Sequence, residues 1–168
     1  MSLHDDLLDQ ARHLVSQEKG KPKQASLRRA ISTAYYALFH LLINEASRMV
    51  VTNPTLRVLV SRTFVHGEMY KASRSFLGGN LPQKFDDLTA KAALSNPLRN
   101  VARVFVVLQD ARHNADYNLG KNYTRVEAET LVDQASQAFR DWRAIRGDDQ
   151  AQLYLVCLLL WERFDKIR

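Results

Sequence analysis

At 168 residues, 46% of them hydrophobic, the chain has material for one domain with a substantial core and too little for two. Its single cysteine, Cys157, excludes an intramolecular disulfide and a cysteine-based zinc site within one chain. The formal charge of +6 fits an anionic partner such as RNA or a nucleotide, and equally a set of solvated basic faces.

The charge is uneven. Residues 53–117 hold nine basic and five acidic side chains, among them Arg57, Arg62, Lys71, Arg74, Arg99, Arg103 and Arg112, whereas residues 118–168 balance at eight of each. The start, Met1-Ser2-Leu3-His4-Asp5-Asp6, lacks the basic and apolar stretches of a secretion signal. The longest apolar run, Leu153 to Trp161, is nine residues, against the ~20 a membrane-spanning helix requires. The expectation is a cytoplasmic protein without a membrane partner.

In chain order, apolar residues recur at helical spacing, with no sustained alternation of the strand type. A first helix is predicted from about Ser2 to Glu18 and ends at Lys19-Gly20-Lys21-Pro22. A long second helix from about Gln24 to Val50 buries Ile31, Tyr35, Leu38, Phe39, Leu42, Ala46 and Met49, and Thr52-Asn53-Pro54 breaks it. Residues Thr55 to Leu77 read as helical with Gly67 as an interruption. Gly78-Gly79-Asn80-Leu81-Pro82 is a loop, and a short helix around Gln83 to Leu94 follows.

Ser95-Asn96-Pro97 opens a strong helix that runs to Tyr117. After the loop Asn118 to Asn122, Thr124 and Glu127 form a capping-box pattern at the start of a helix reaching about Arg146, with Leu131, Ala135, Ala138, Trp142 and Ile145 as its buried stripe. Gly147-Asp148-Asp149 separates it from a last helix, in which Cys157 packs as a small hydrophobe. The fold class is therefore all-α, an up-and-down helical bundle in a single domain over 1–168, with an additional C-terminal helix.

Two helices are apolar beyond one face. Val104, Val106 and Val107 leave the stripe of Leu98, Val101, Phe105 and Leu108, and the last helix is apolar all round from Leu153 to Trp161. Such a helix is either central in its own domain or covered by another chain. A homodimer is the expectation.

Two stretches hold the chemistry-bearing residues. In the second helix, Arg29, Ser32, Thr33, Tyr36 and His40 fall on one flank at 100° per residue, beside the core stripe of Tyr35 and Phe39. That ridge suits a phosphate or a base; it also suits amphipathic packing with polar tips in water. In the valine-rich helix, Arg112 and Asp116 continue the stripe of Val101 and Phe105, so an i,i+4 charged pair points inward. Charge buried there is tolerated only if paired, which leaves two readings, a structural ion pair or a cationic site in a cleft. His113 and Tyr117 share the adjacent flank, one turn apart, where histidine can move a proton near neutral pH.

Other chemistries lack their patterns. Gly78-Gly79-Asn80 has no Gly-Lys-Ser/Thr ending and no preceding strand, and no serine stands in a nucleophile elbow. The histidines do not pair at ligand spacing, so neither a metal nor a cofactor is expected.

The run Arg28-Arg29-Ala30-Ile31-Ser32-Thr33-Ala34-Tyr35-Tyr36-Ala37-Leu38-Phe39-His40, with Ala111-Arg112-His113-Asn114-Ala115-Asp116-Tyr117 far downstream, resembles the HEPN family, whose prokaryotic members show Arg-x-x-Ala-Asp-Tyr at that helix end. The similarity extends from about residue 3 to 146. It implies a helical bundle, dimerisation, and a site where arginine-bearing helices of two subunits approach. It also implies metal-independent ribonuclease, toxin or defence roles, pairing with a minimal nucleotidyltransferase partner protein, or non-catalytic RNA or nucleotide binding. The chain departs from the catalytic pattern, an arginine and a histidine with four to six residues between them: Arg62 and His66 come nearest with three between, and Tyr117 stands where Arg112 would need that histidine. The resemblance thus implies an RNA- or nucleotide-binding site of Arg29, Tyr36, His40, Asp116 and Tyr117, with Arg112 and His113 as the catalytic pair if the chain is a ribonuclease.

Overall fold

The computed structural model describes residues 2–78, 85 and 93–166. Among them the chain is an all-α helical bundle without strands, formed by α1 (Leu3–Ser16), α2 (Gln24–Val50), α3 (Pro54–Ser61), α4 (His66–Leu77), α5 (Asn96–Tyr117), α6 (Arg125–Ile145) and α7 (Asp149–Lys166). No helix among the described residues is long and apolar enough to cross a membrane.

Local chemistry sets the helix ends. Ser2 caps α1 by accepting the Asp5 amide at 3.4 Å, and Asp5 and Asp6 complement the positive end of the helix dipole. Asn53 caps α3 through the amides of Thr55 and Leu56, with Pro54 in the first turn, where its missing N–H is not needed. The capping box of α6 is present: Glu127 accepts the Thr124 amide at 2.7 Å and Thr124 accepts the Glu127 amide at 3.2 Å. The backbone and side-chain hydrogen bonds from Thr124 hold the Glu127 carboxyl below the ordinary glutamate range.

Three sequence expectations need correction. The helical segment Thr55 to Leu77 is two helices, and the break falls at residues 62–65 instead of at Gly67, which lies in the first turn of α4. The reason is a turn: the Arg62 and Thr63 amides bond back to Leu59 and Val60, and Phe64, buried, anchors the connection. Met49 is 38% exposed, because the last turn of α2 runs out of the core. Most of the surplus apolar residues of α5 and α7 are buried in their own chain, Val104, Val106, Leu155, Cys157 and Leu158 among them, whereas Val107 and Leu159 are only partly buried and Leu160 is exposed. The short helix expected around Gln83 to Leu94, like most of the loop before it, lies largely outside the described residues.

The chain divides into two compact units. The first, Met1–Leu41 with Val104–Arg140, has a core of Leu8, Val15, Leu27, Ile31, Tyr35, Leu38, Phe105 and Phe139. The second, Leu42–Arg103 with Asp141–Arg168, is built on Trp142 and Tyr154, whose ring stands 4.9 Å from that of Phe76. The hydroxyls of Tyr154 and Ser73 are 2.8 Å apart, which satisfies the buried phenol.

Candidate functional site

All seven residues singled out from the sequence belong to the first unit, where the N-terminal half of α2 holds the C-terminal end of α5. The last carbonyls of a helix have no partner within it and carry its negative dipole end. Arg28 meets both needs. Its guanidinium donates to the Ala115 carbonyl at 2.7 Å, to Asn118 at 3.0 Å and to Lys121, so one cation gathers the end of α5 and the loop after it. Four residues earlier on α2, Gln24 exchanges two hydrogen bonds with the Tyr123 backbone, at 2.7 and 2.8 Å.

One turn after Arg28, the buried Ser32 hydroxyl donates to Asp116 Oδ1. The other carboxylate oxygen of Asp116 stands 2.9 Å from Arg112 Nε, an ion pair whose N–H is not aligned for a hydrogen bond. A terminal nitrogen of Arg112 donates to the Tyr36 hydroxyl at 2.9 Å. Three phenol rings surround the guanidinium, those of Tyr35, Tyr36 and Tyr117, with centroids 5.8, 5.5 and 5.9 Å away. Burial works against the charge of Arg112, and Tyr36, Asp116 and Tyr117 outweigh it, so its pKa rises. Burial likewise raises Tyr35, with Arg112 opposing.

The inward pair expected from the helical wheel is thus a rim pair. The Arg112 side chain is 21% exposed and that of Asp116 29%, because α5 ends where the core ends. Beyond them the Tyr117 ring is 65% exposed, and the ring of exposed His113 lies 5.2 Å from it. Arg112 therefore faces the tyrosines of α2 while His113 faces solvent, and Tyr117 stands beside both.

The flank of α2 does not act as one ridge. Arg29 is exposed, whereas Ser32 and Thr33 are buried. His40, half-buried, has its ring 6.4 Å from Tyr36 and edge-on to Phe39 at 5.5 Å. Burial, then the nearby His4 of α1, pushes its imidazole below the ordinary histidine range. His40 thus answers to α1 as well as to Tyr36. Arg28 was missed as a site residue, and His4 as the neighbour of His40; the helical repeat, which puts Arg28 within about 20° of Tyr35 and Phe39 and Arg29 about 100° from Arg28, is the signal that separates the two arginines. Among the described residues no group of three or more His, Cys, Asp or Glu side chains is placed to hold a metal ion.

Comparison with known proteins finds no family model that matches this chain and no significant similarity to a curated protein or a solved structure.

Proposed function

We propose that the chain is a HEPN-like RNA- or nucleotide-binding protein of toxin or defence type, in which the end of α5 receives a phosphate beside Arg112 and a base on Tyr117. The observation that carries this reading is the exposed ring of Tyr117, 5.9 Å from a partly exposed guanidinium and 5.2 Å from the His113 ring. An aromatic face offered to solvent beside a cation is the pairing that holds single-stranded nucleic acid, since every base has a π-face and every nucleotide a phosphate. Arg28, Ser32 and Asp116 position these groups. The positive charge of residues 53–117 adds attraction for a polyanion.

A second reading, a metal-independent ribonuclease using Arg112 and His113, draws on His113 being exposed beside the same tyrosine. One experiment separates the two. A labelled single-stranded RNA is titrated with protein in EDTA across a range of salt, and the product is run on a denaturing gel. Binding without cleavage, weakening with salt by roughly 0.7 log units per log unit of salt for each phosphate contacted, is expected. Cleavage lost in His113→Gln would favour the enzyme, and affinity indifferent to both Arg112→Ala and Tyr117→Ala would sink the site.

A further inference from the structure

The least accounted-for element is α3. It carries Leu56, Val58, Leu59 and Val60 in eight residues and buries none of them. A helix this short does not hold itself together in water, where roughly 12–15 residues are marginal. Polar contacts hold it instead: the Asn53 cap, and Arg57, whose guanidinium donates to the Val51 carbonyl at 2.9 Å and to that of Thr52. The apolar side chains are thus fixed in place and left facing outward.

Two of them, Leu59 and Val60, border a groove of about 530 Å³ in the second unit. Leu59 and Val60 of α3 form one wall, Val50 and Val65 stand at the adjoining helix ends, and Leu159 and Leu160 of α7 form the other wall. The backbone of α7 departs from helical dihedrals at Leu160, which is 38% exposed. Among the described residues nothing covers Leu56, Leu59 or Val65, which are 47 to 58% exposed.

We propose that this groove between α3 and α7 seats a second copy of the same chain, α3 of each protomer lying in the groove of the other about a two-fold axis.

Two observations select this occupant. The first is charge. Glu68 and Glu162 on the rim pair with Lys71 and Lys166, each at 2.8 Å, and Arg163 completes it. A two-fold contact sets a patch against itself, so a rim of both signs can be paired with glutamates opposite cations, whereas a single-sign rim would repel itself. With Lys71 and Lys166 already paired to these glutamates, the rim lacks the strong basic excess that RNA or an anionic lipid surface calls for. The second is area. Val50, Leu56, Leu59, Val65 and Leu160, about half exposed, leave on the order of 400 Å² of apolar surface in water, in the range of the largest patch on a typical monomer. With a polar rim, that is the apolar share of the ~800 Å² each partner contributes to a stable interface.

This inference places self-association on α3 and α7, residues other than the arginine-bearing end of α5 where the HEPN resemblance implies that two subunits approach, and it does not rest on RNA binding. The experiment is sedimentation of the full chain across the micromolar range, unaltered and as Leu59→Lys, with Leu119→Lys as a control at an 88% exposed leucine elsewhere. The unaltered chain and Leu119→Lys should be dimers, and Leu59→Lys should weaken self-association by about tenfold or more, with an unchanged circular dichroism spectrum because α3 buries nothing. Backbone amides of residues 54–61 should also lose hydrogen-exchange protection on dilution. An unaltered chain that stays monomeric, a Leu59→Lys dimer of undiminished affinity, or protection of α3 independent of concentration would overturn the proposal. Since RNA affinity is a separate measurement, a dimer that binds no RNA and a monomer that binds it fail different readings.

Discussion

Arg112 and Asp116 form an ion pair of 2.9 Å one turn apart on α5, and each is also held by a hydroxyl of α2: Tyr36 accepts from the arginine, Ser32 donates to the aspartate. The pair joins two helices more than it braces one. That double attachment orients the guanidinium toward the tyrosines and leaves its outer edge in water.

Replacing Arg112 tests both duties. At 21% and 29% side-chain exposure the pair lies between a surface ion pair, worth about 0–1 kcal/mol, and a buried one, whose breakage costs about 3–5 kcal/mol. Arg112→Ala should therefore lower urea-derived stability by about 2 kcal/mol and abolish RNA binding, while Arg112→Lys, which keeps charge but not the planar fork, should restore only part of each. Stability lost with RNA affinity intact would make Arg112 purely structural.

Tyr117 separates binding from folding. With its ring 65% exposed, Tyr117→Ala should change stability by under about 0.5 kcal/mol. RNA affinity should fall by about 1–3 kcal/mol, the worth of one base stacked on an aromatic ring. Tyr117→Phe should bind like the unaltered chain, because stacking needs the ring alone.

Arg28 is expected to matter more than its neighbour Arg29. Arg28→Met removes the donor to three carbonyls at the end of α5, two of them outside the helix. Hydrogen bonds from charged groups are worth about 1.5–3 kcal/mol each at most, so a loss of about 2–3 kcal/mol is expected, with faster hydrogen exchange over residues 115–123. Arg29→Met, at an exposed position, should leave both near unchanged.

The imidazole of His40 gives a pH dependence of definite sign. Burial and His4 push its folded pKa below the unfolded value, near ~6.5, so between the two the unfolded chain holds more protons and stability rises with pH. The contribution is complete above the unfolded value and is lost as pH falls through the folded one. Thermal unfolding should show a drop in midpoint from neutral pH to about pH 5, smaller in His40→Gln. In His4→Gln the His40 titration followed by NMR should move upward; a titration that does not move would remove His4 as a cause.

Much of the bundle was legible in the chain. The bounds of α2 and the start and end of α5 follow from apolar spacing with Pro54 and Pro97 as markers, and the α6 cap from Thr124 and Glu127. The division between α3 and α4 was not, because a turn closed by the Arg62 and Thr63 amides carries no proline at that point and Gly67 drew attention instead. Of the site, Arg112, Asp116, Tyr36 and Tyr117 are brought together as expected, and His113 joins through Tyr117. Arg29 remains apart in solvent, and Arg28 acts in its stead on α5.

What the sequence determined by itself is what depends on neighbours along the chain: which segments coil, where caps and prolines stop them, and which side chains share a stripe, since a helix repeats every 3.6 residues whatever surrounds it. Tertiary structure decided how far each stripe turns inward and what meets it. Ser32 and Asp116 are 84 positions apart, and their contact depends on the rotation and depth of two helices against each other, which no local period encodes. The same holds for Val104 and Leu59, equally apolar by composition: one is wholly buried and the other left in water because packing across helices, not hydropathy, allots the core.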